Sequence, residues 1–510
     1  MAGNTIALLH GWGGNSRSWG VVPQLLAEFG RVECIDLPGY GDEPELGDNS
    51  LESYLSWLEQ RLPATALIVG FSLGGMLAMA FAARHPQRVS GLLMVASNLK
   101  FVASDEWPQA LAGDHFEQFN SGYQSDPRRT LARFTALACN ADRQVKKQLS
   151  KDLPLPPTPS AGQMQLALLG ELRLFCAAQT VADSALPVAM LFAREDQLVP
   201  VAASDQIAAD YPKFTISHCA GSHMLPLQHP EAIMLAVEQL LLQVEGEPQL
   251  DKRAVANSFS RAAEDYTRAA VLQAQVAGEL LAEHAGQCPD RLLDLGCASG
   301  VQAQALQHFY PAAQRLGLDL SLGMLQAAQQ QRPVTCQWVC ADAEQLPFAA
   351  DSIDTVFSSF ALQWCERVEA AAIELARVVA IGGELLLAIP VAGTLCELRA
   401  AWAEVDASSH INRFASAARW RTALEQAGFT IDQLATREYI QNHASVSELM
   451  YSIKAVGAHN SQLGRATVAT GRGRIKQLYA AYPSADDGSC TATWKILFGR
   501  CKKMGGVKPL

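Results

Sequence analysis

Three residues far apart in the chain are of the right types and in the right order to do chemistry together. Ser72 sits in GFSLGG (70–75), directly after the apolar run ALIV. In a G-x-S-x-G pattern the serine occupies a tight strand-to-helix turn with its Oγ projecting free, and Gly70 and Gly74 keep Cβ atoms out of the crowded turn. Taken alone, the hydroxyl could equally cap the helical pattern LGGMLAMAFAARH. A serine nucleophile needs a base, and the base needs an acid to orient it. After Ser72 come Asp196, just past the strand pattern VAMLFA, and His223, in a glycine loop before the last helical pattern. Asp36 precedes the serine, His218 lies inside a strand pattern and His229 precedes a proline, so none of these fits the order and setting. The loop HGWGG after the first strand pattern places backbone N–H groups near the turn. The amides of Trp12 and Leu73 are the expected donors to a developing oxyanion, and His10 in the same loop is read as structural.

A second set lies more than two hundred residues on. RLLDLGCASG runs an apolar strand into a glycine turn carrying Asp294, Gly296 and Gly300. The spacing is not G-x-G-x-x-G, so a dinucleotide fingerprint is absent. Two later strand patterns end on Asp319 (RLGLDLS) and on Asp342-Ala343 (WVCADAEQ).

The elements that must hold these residues follow from the hydrophobic pattern. At 510 residues the chain exceeds one ordinary core and predicts two domains. Apolar strand patterns alternate with helical ones in both halves, which predicts α/β architecture with largely parallel sheets, and ligands gather at the carboxyl ends of such strands. The expected organisation is a first domain over 1–242, a polar linker over 243–253 (QVEGEPQLDKR) and a second domain over 254–510. An insertion over about 98–185 reads as a helical cap, with a proline-rich loop at 152–160. It carries Arg128, Arg129, Arg133, Lys146, Lys147 and Lys151 on a chain whose net charge is −11. That acidic balance argues against nucleic-acid partners, and no apolar run is long enough to span a membrane. Twelve scattered cysteines show no metal-ligand spacing, so no metal is expected; Cys336 and Cys340 read as core sulfur. The N-terminal residues lack a signal-peptide pattern, which predicts a cytoplasmic location.

LLHGWGGNSRSW, IDLPGYG, GFSLGGMLA, SDEWP and GSHMLPLQHP resemble the α/β-hydrolase family, and within it the biotin-pathway esterases that demethylate pimeloyl-acyl-carrier-protein methyl ester. The resemblance spans residues 4–242 and lacks two short strands that usually precede the first one here. It implies substrate contacts from Phe134, Thr135, Ala136, Leu137 and Ala138, alongside Trp12 and Leu73. It also implies docking of an acidic acyl-carrier protein on Arg129 and Arg133. The pattern D-x-G-x-x-x-G resembles motif I of class I S-adenosylmethionine methyltransferases. The lead-in VANSFSRAAEDYTRAAVLQ and the stretch GTLCELRAAWAEVDASSHINRF narrow the likeness to malonyl-acyl-carrier-protein O-methyltransferases. This implies an S-adenosylmethionine site on Asp294, Gly296, Gly300, Asp319 (ribose), Asp342 and Ala343 (adenine), with Ala298 where the family often has glycine. Tyr266 and Arg413 are candidate handles for the acceptor carboxylate. The whole arrangement resembles the bifunctional biotin-synthesis family that joins the two activities, its carrier partner bearing malonyl and pimeloyl methyl ester chains.

Overall fold

Each strand pattern of the first half folds as a strand: β1 (Thr5–Leu9), β2 (Arg31–Ile35), β3 (Ala66–Phe71), β4 (Val89–Val95), β5 (Val188–Ala193) and β6 (Thr215–Cys219). The computed structural model describes residues 5–48, 50–140, 142–152, 158–284, 288–331, 336–406, 410–458 and 471–505. It divides into two bodies, Gly3–Gly246 and Glu247–Leu510.

In the first body the sheet order is β2-β1-β3-β4-β5-β6 and every pairing is parallel. β3 and β5 are buried along their whole length, as strands covered by helices on both faces must be. The chain leaves β1 toward one side of the sheet and returns through β3 on the other. The loop after β1 and the turn after β3 therefore face each other at a topological switch point. Among the described residues β2 and β6 are the edge strands, and on β2 Arg31 Nε lies 3.2 Å from Glu33 Oε1.

Four helices between β4 and β5 form the cap: Gly113–Ser125, Pro127–Ala138, Arg143–Asp152 and Pro159–Glu171. A fifth, Phe175–Ala182, packs against the helix Leu73–Arg84 of the sheet's covering layer, so the cap ends short of residue 185. Within the proline-rich loop, 153–157 lie outside the described residues; Thr158 then caps the next helix by accepting from Ala161 N–H. The expected linker at 243–253 is shortened at both ends. The helix Pro230–Glu245 runs three residues into it before Gly246, at φ +77°, stops the helix. Asp251 caps a new helix at Lys252.

The second body has strands β7 (Arg291–Leu295), β8 (Gln314–Asp319), β9 (Gln337–Cys340), β10 (Ile353–Ser359), β11 (Val379–Pro390), β12 (Phe429–His443) and β13 (Cys490–Lys503). They order as β12-β13-β11-β10-β7-β8-β9, with β13 antiparallel to both neighbours. Its switch point lies between β7 and β10, above Asp294. The lead-in folds as the helices Lys252–Ala262, Tyr266–Ala269 and Val271–His284. One expectation fails here: Cys336 is half-buried and Cys340 exposed. β9 is an edge strand, so its side chains are not enclosed as those of β7 are.

Candidate active sites

Ser72 is held at φ +53°, ψ −119°, a backbone conformation that a non-glycine residue keeps only when its surroundings enforce it. Those surroundings are tight. A Cβ on Gly70 would lie 2.4 Å from Gly75 Cα, and one on Gly74 would lie 2.2 Å from the Leu9 carbonyl oxygen. Replacing Gly74 by Ala is expected to destabilise the first body by about 2–3 kcal/mol, read as a fall in its unfolding midpoint.

The turn presents Ser72 Oγ 3.0 Å from His223 Nε2, while His223 Nδ1–H donates to Asp196 Oδ2 at 2.8 Å. The other oxygen of Asp196 accepts from the amides of Leu198 (2.8 Å) and Val199 (2.9 Å), which fixes the carboxylate. All three side chains are buried. The rival residues are engaged elsewhere. His218 bonds Ser204 Oγ at 2.8 Å, and Asp36 accepts from Ser16 N–H. His10 Nε2 accepts from Leu37 N–H and its Nδ1–H donates to Gly11 O, with burial pushing its pKa down to about 4, so it stays neutral.

The loop after β1 lies directly over the nucleophile: a Cβ on Gly11 would sit 2.9 Å from Ser72 Cβ. Trp12 follows it, and its indole Nε1–H donates to Gly162 O, tying the loop to the cap. Leu73 is the first residue of its helix, where a backbone N–H has no intrahelical acceptor.

On the cap helix Pro127–Ala138 the expected substrate contacts differ in burial. Phe134 and Ala138, four apart, are buried, with the Phe134 ring 4.7 Å from Trp12 and 6.4 Å from His223. Thr135 is half-buried, and Ala136 and Leu137 are exposed. Helical periodicity puts Phe134 and Ala138 on one face and Ala136 roughly opposite, with Leu137, three residues past Phe134, on the flank of the buried face. The same periodicity points to a contact that residue types alone did not flag: Leu131 Cδ2 comes within 2.9 Å of a Cβ placed on Gly13. Tyr40 Oη, accepting from Gly13 N–H at 3.0 Å, was likewise missed. Arg128, Arg129 and Arg133 are exposed, and among the described residues Arg129 and Arg133 have no ion-pair partner. Lys146 and Lys147 are exposed too; the side chain of Lys151 lies outside the described residues.

In the second body the glycine turn after β7 has Gly296 at φ +79° and Gly300 at φ +70°. Ala298 adopts φ +47°, the left-handed conformation glycine would supply, and its N–H donates to Asp319 Oδ2 at 2.9 Å. Asp319 Oδ1 accepts from Ser321 N–H at 2.8 Å. Asp294 is buried, and among the described residues its carboxylate has no hydrogen-bond or ion-pair partner. Burial, with the negative charge of Asp319, pushes its pKa up to about 7; burial holds Asp319 at about 6. Asp342 accepts from Lys252 Nζ at 3.0 Å, and Ala343 is half-buried beside it.

Next to these carboxylates opens a cavity of about 330 Å³ at the carboxyl ends of β10 and β11. Aromatic rings dominate its wall, among them Tyr266, Phe360, Trp364, Trp402, Phe414 and Trp494. Tyr266 borders both spaces: burial and the charges of Asp319 and Asp294 hold its hydroxyl protonated. Arg413 is half-buried and does not line the cavity. Among the described residues no cluster of metal-ligating side chains occurs, and no helix is long and apolar enough to cross a membrane.

Comparison with known proteins divides along the same lines. Residues 4–230 match the alpha/beta hydrolase fold family and residues 293–387 a methyltransferase domain family. Over 94% of its length the chain is 37% identical to the biotin biosynthesis bifunctional protein BioHC of Cellvibrio japonicus, covering 95% of that protein. It is 33% identical to the protein of the same name in Teredinibacter turnerae, covering 89% of it. The second half is 37% identical to a malonyl-acyl-carrier-protein O-methyltransferase of Gallionella capsiferriformans, covering 91% of that protein.

Proposed function

Because the chain belongs to the family of bifunctional biotin-biosynthesis proteins, we propose that its second half methylates malonyl-acyl-carrier protein with S-adenosylmethionine and its first half hydrolyses the methyl ester of the pimeloyl-acyl-carrier protein. Esterification hides a carboxylate that would otherwise have to enter the apolar pockets of chain-elongating enzymes at a cost of several kcal/mol. Hydrolysis restores it once the chain is long enough.

The observation that carries the hydrolytic half is the unbroken line Ser72 Oγ, His223, Asp196 at 3.0 and 2.8 Å. His223 takes the Ser72 proton as Oγ attacks the ester carbonyl. Asp196 holds the imidazole with Nε2 free to accept and stabilises the imidazolium. The amides of Trp12 and Leu73 meet the oxyanion, and His223 returns the proton to the leaving methanol. A water activated by the same imidazole then releases the acid. Phe134 and Ala138 face the acyl chain from the cap.

For the second half, a buried Asp294 without a partner among the described residues is the observation that fits a methyl donor bearing positive charge. Asp294, Gly296 and Gly300 would hold its methionine part, Asp319 its ribose, and Asp342 with Ala343 its adenine. The bound donor supplies an electrophilic methyl group. The malonyl carboxylate is already nucleophilic at pH 7, so this body contributes alignment and exclusion of water rather than a base. The aromatic cavity beside Tyr266 receives the acceptor.

The decisive assay offers the purified chain both carrier-bound substrates, malonyl for methylation and the pimeloyl methyl ester for hydrolysis. Arg129 and Arg133 are the proposed docking site for the acidic carrier. Changing both to Glu is expected to raise KM for the carrier-bound ester about tenfold and to leave hydrolysis of a free methyl ester unchanged. Equal effects on the two esters would remove the carrier from this surface.

A further inference from the structure

The segment leading into the second body reaches each loop of the donor site. Thr267 Oγ1 lies 3.2 Å from Ser299 Oγ in the glycine turn, and Ser260 Oγ lies 2.8 Å from Ser321 Oγ, two residues past Asp319. Lys252, the first residue of its helix, goes further and bonds a site carboxylate itself: its Nζ donates to Asp342 Oδ1 at 3.0 Å and to Glu344 Oε2 at 2.7 Å.

The bonding pattern around this lysine is lopsided. Glu344 is pinned by two further donors, the amides of Glu366 and Arg367. Asp342 Oδ1 accepts from Lys252 and also from Glu344 N–H at 3.0 Å. Among the described residues no donor reaches Asp342 Oδ2. One oxygen is thus saturated from within the protein and the other is left to a ligand. Without the ammonium, two carboxylates two residues apart would face each other, and Asp342 Oδ1 would keep only the Glu344 amide of its two donors.

We propose that Lys252 is a positioning residue for the donor's base: it occupies Asp342 Oδ1 so that Oδ2 faces the exocyclic amine of adenine, and it thereby sets the preference for an amino over a carbonyl group at that ring position. This rests on the placement of adenine at Asp342 given above. Burial works against the ammonium, but the hydrogen bond to Glu344 and the neighbouring charges keep the pKa of Lys252 above its ordinary value, so it remains charged at neutral pH.

The test measures calorimetric affinities of the full chain for S-adenosylhomocysteine and S-inosylhomocysteine, which differ at that ring position. The wild-type chain is expected to favour the adenosyl compound at least tenfold. Lys252→Met should bind the adenosyl compound at least tenfold more weakly and the inosyl compound within threefold of wild type, while Lys252→Arg restores most of the preference. Lys252→Gln is carried alongside in case the methionine variant does not fold. Equal weakening of both ligands would make Lys252 a mere staple for its helix and overturn the proposal, as would no weakening of either. A wild-type chain without any preference would instead overturn the placement of adenine, and the role of Lys252 with it.

Discussion

Replacing Ser72 by Ala is expected to lower kcat for ester hydrolysis by about 10⁴–10⁶-fold while methyl transfer by the same chain continues at the wild-type rate. The size follows from the way the three side chains act as a unit: without Oγ the imidazole has no proton to take, and the carboxylate has no imidazolium to stabilise. What survives is the contribution of the oxyanion donors and of binding, worth about 10³–10⁴ over water. His223→Ala should fall to a similar floor, and the double variant should be scarcely worse than either single one, because each removes the same unit. Steady-state rates on the methyl ester, with the transferase reaction as an internal control, check both statements. A Ser72→Ala chain retaining more than a few per cent of wild-type hydrolysis would place the nucleophile elsewhere.

Replacing Asp319 by Ala should weaken binding of S-adenosylhomocysteine at least about a hundredfold, since it deletes a carboxylate expected to accept charge-assisted hydrogen bonds worth about 1.5–3 kcal/mol each. It also frees the Ala298 amide, which now donates to Asp319 Oδ2. The pH dependence of binding gives an independent reading. Burial holds the carboxyl of Asp294 at about 7, with help from the charge of Asp319, and that of Asp319 at about 6. A ligand that offers donors or positive charge binds their ionised forms. Affinity should therefore be full only above about pH 8 and decline as pH falls through both values, by about a hundredfold between pH 8 and 5.5. Asp294→Asn should flatten the upper part of that profile. Ligand-free stability moves the opposite way. Both folded-state values are raised, so the native body holds these protons more tightly than the unfolded chain and gains stability as pH drops from about 7 toward 4. Calorimetric affinities and unfolding midpoints across this range test the two signs together.

Much of this was legible in the sequence because the chemistry sits at strand ends, and strand ends are marked by an apolar run breaking at glycine. Ser72, Asp196 and His223 could be chosen over Asp36, His218 and His229 by order and loop setting, and they are the ones brought within hydrogen-bonding distance. Gly70 and Gly74 likewise show the crowding that the turn implies. FTALA reads as a single lining stretch, but a helix turns about 100° per residue, so its side chains leave in different directions: Phe134 and Ala138 are buried, Thr135 is half-buried and Ala136, roughly opposite Phe134, is exposed. Lys252 was invisible for another reason. It fell in a polar stretch assigned to the linker, and nothing local to it reveals that Asp342, ninety residues on, completes its ion pair. The linker bounds shifted because Gln243, Val244 and Glu245 continue a helix whose stop signal is Gly246.

One consequence follows from the placement of β2. Its outer side carries a row of backbone N–H and C=O groups that no described strand covers. Such a row is a template on which another chain could add a strand. The strand is only five residues long, and it sets Arg31 and Glu33 on its rim. A second molecule laying its own β2 alongside would have to accommodate both charges in the seam, which keeps this unguarded margin from seeding aggregation.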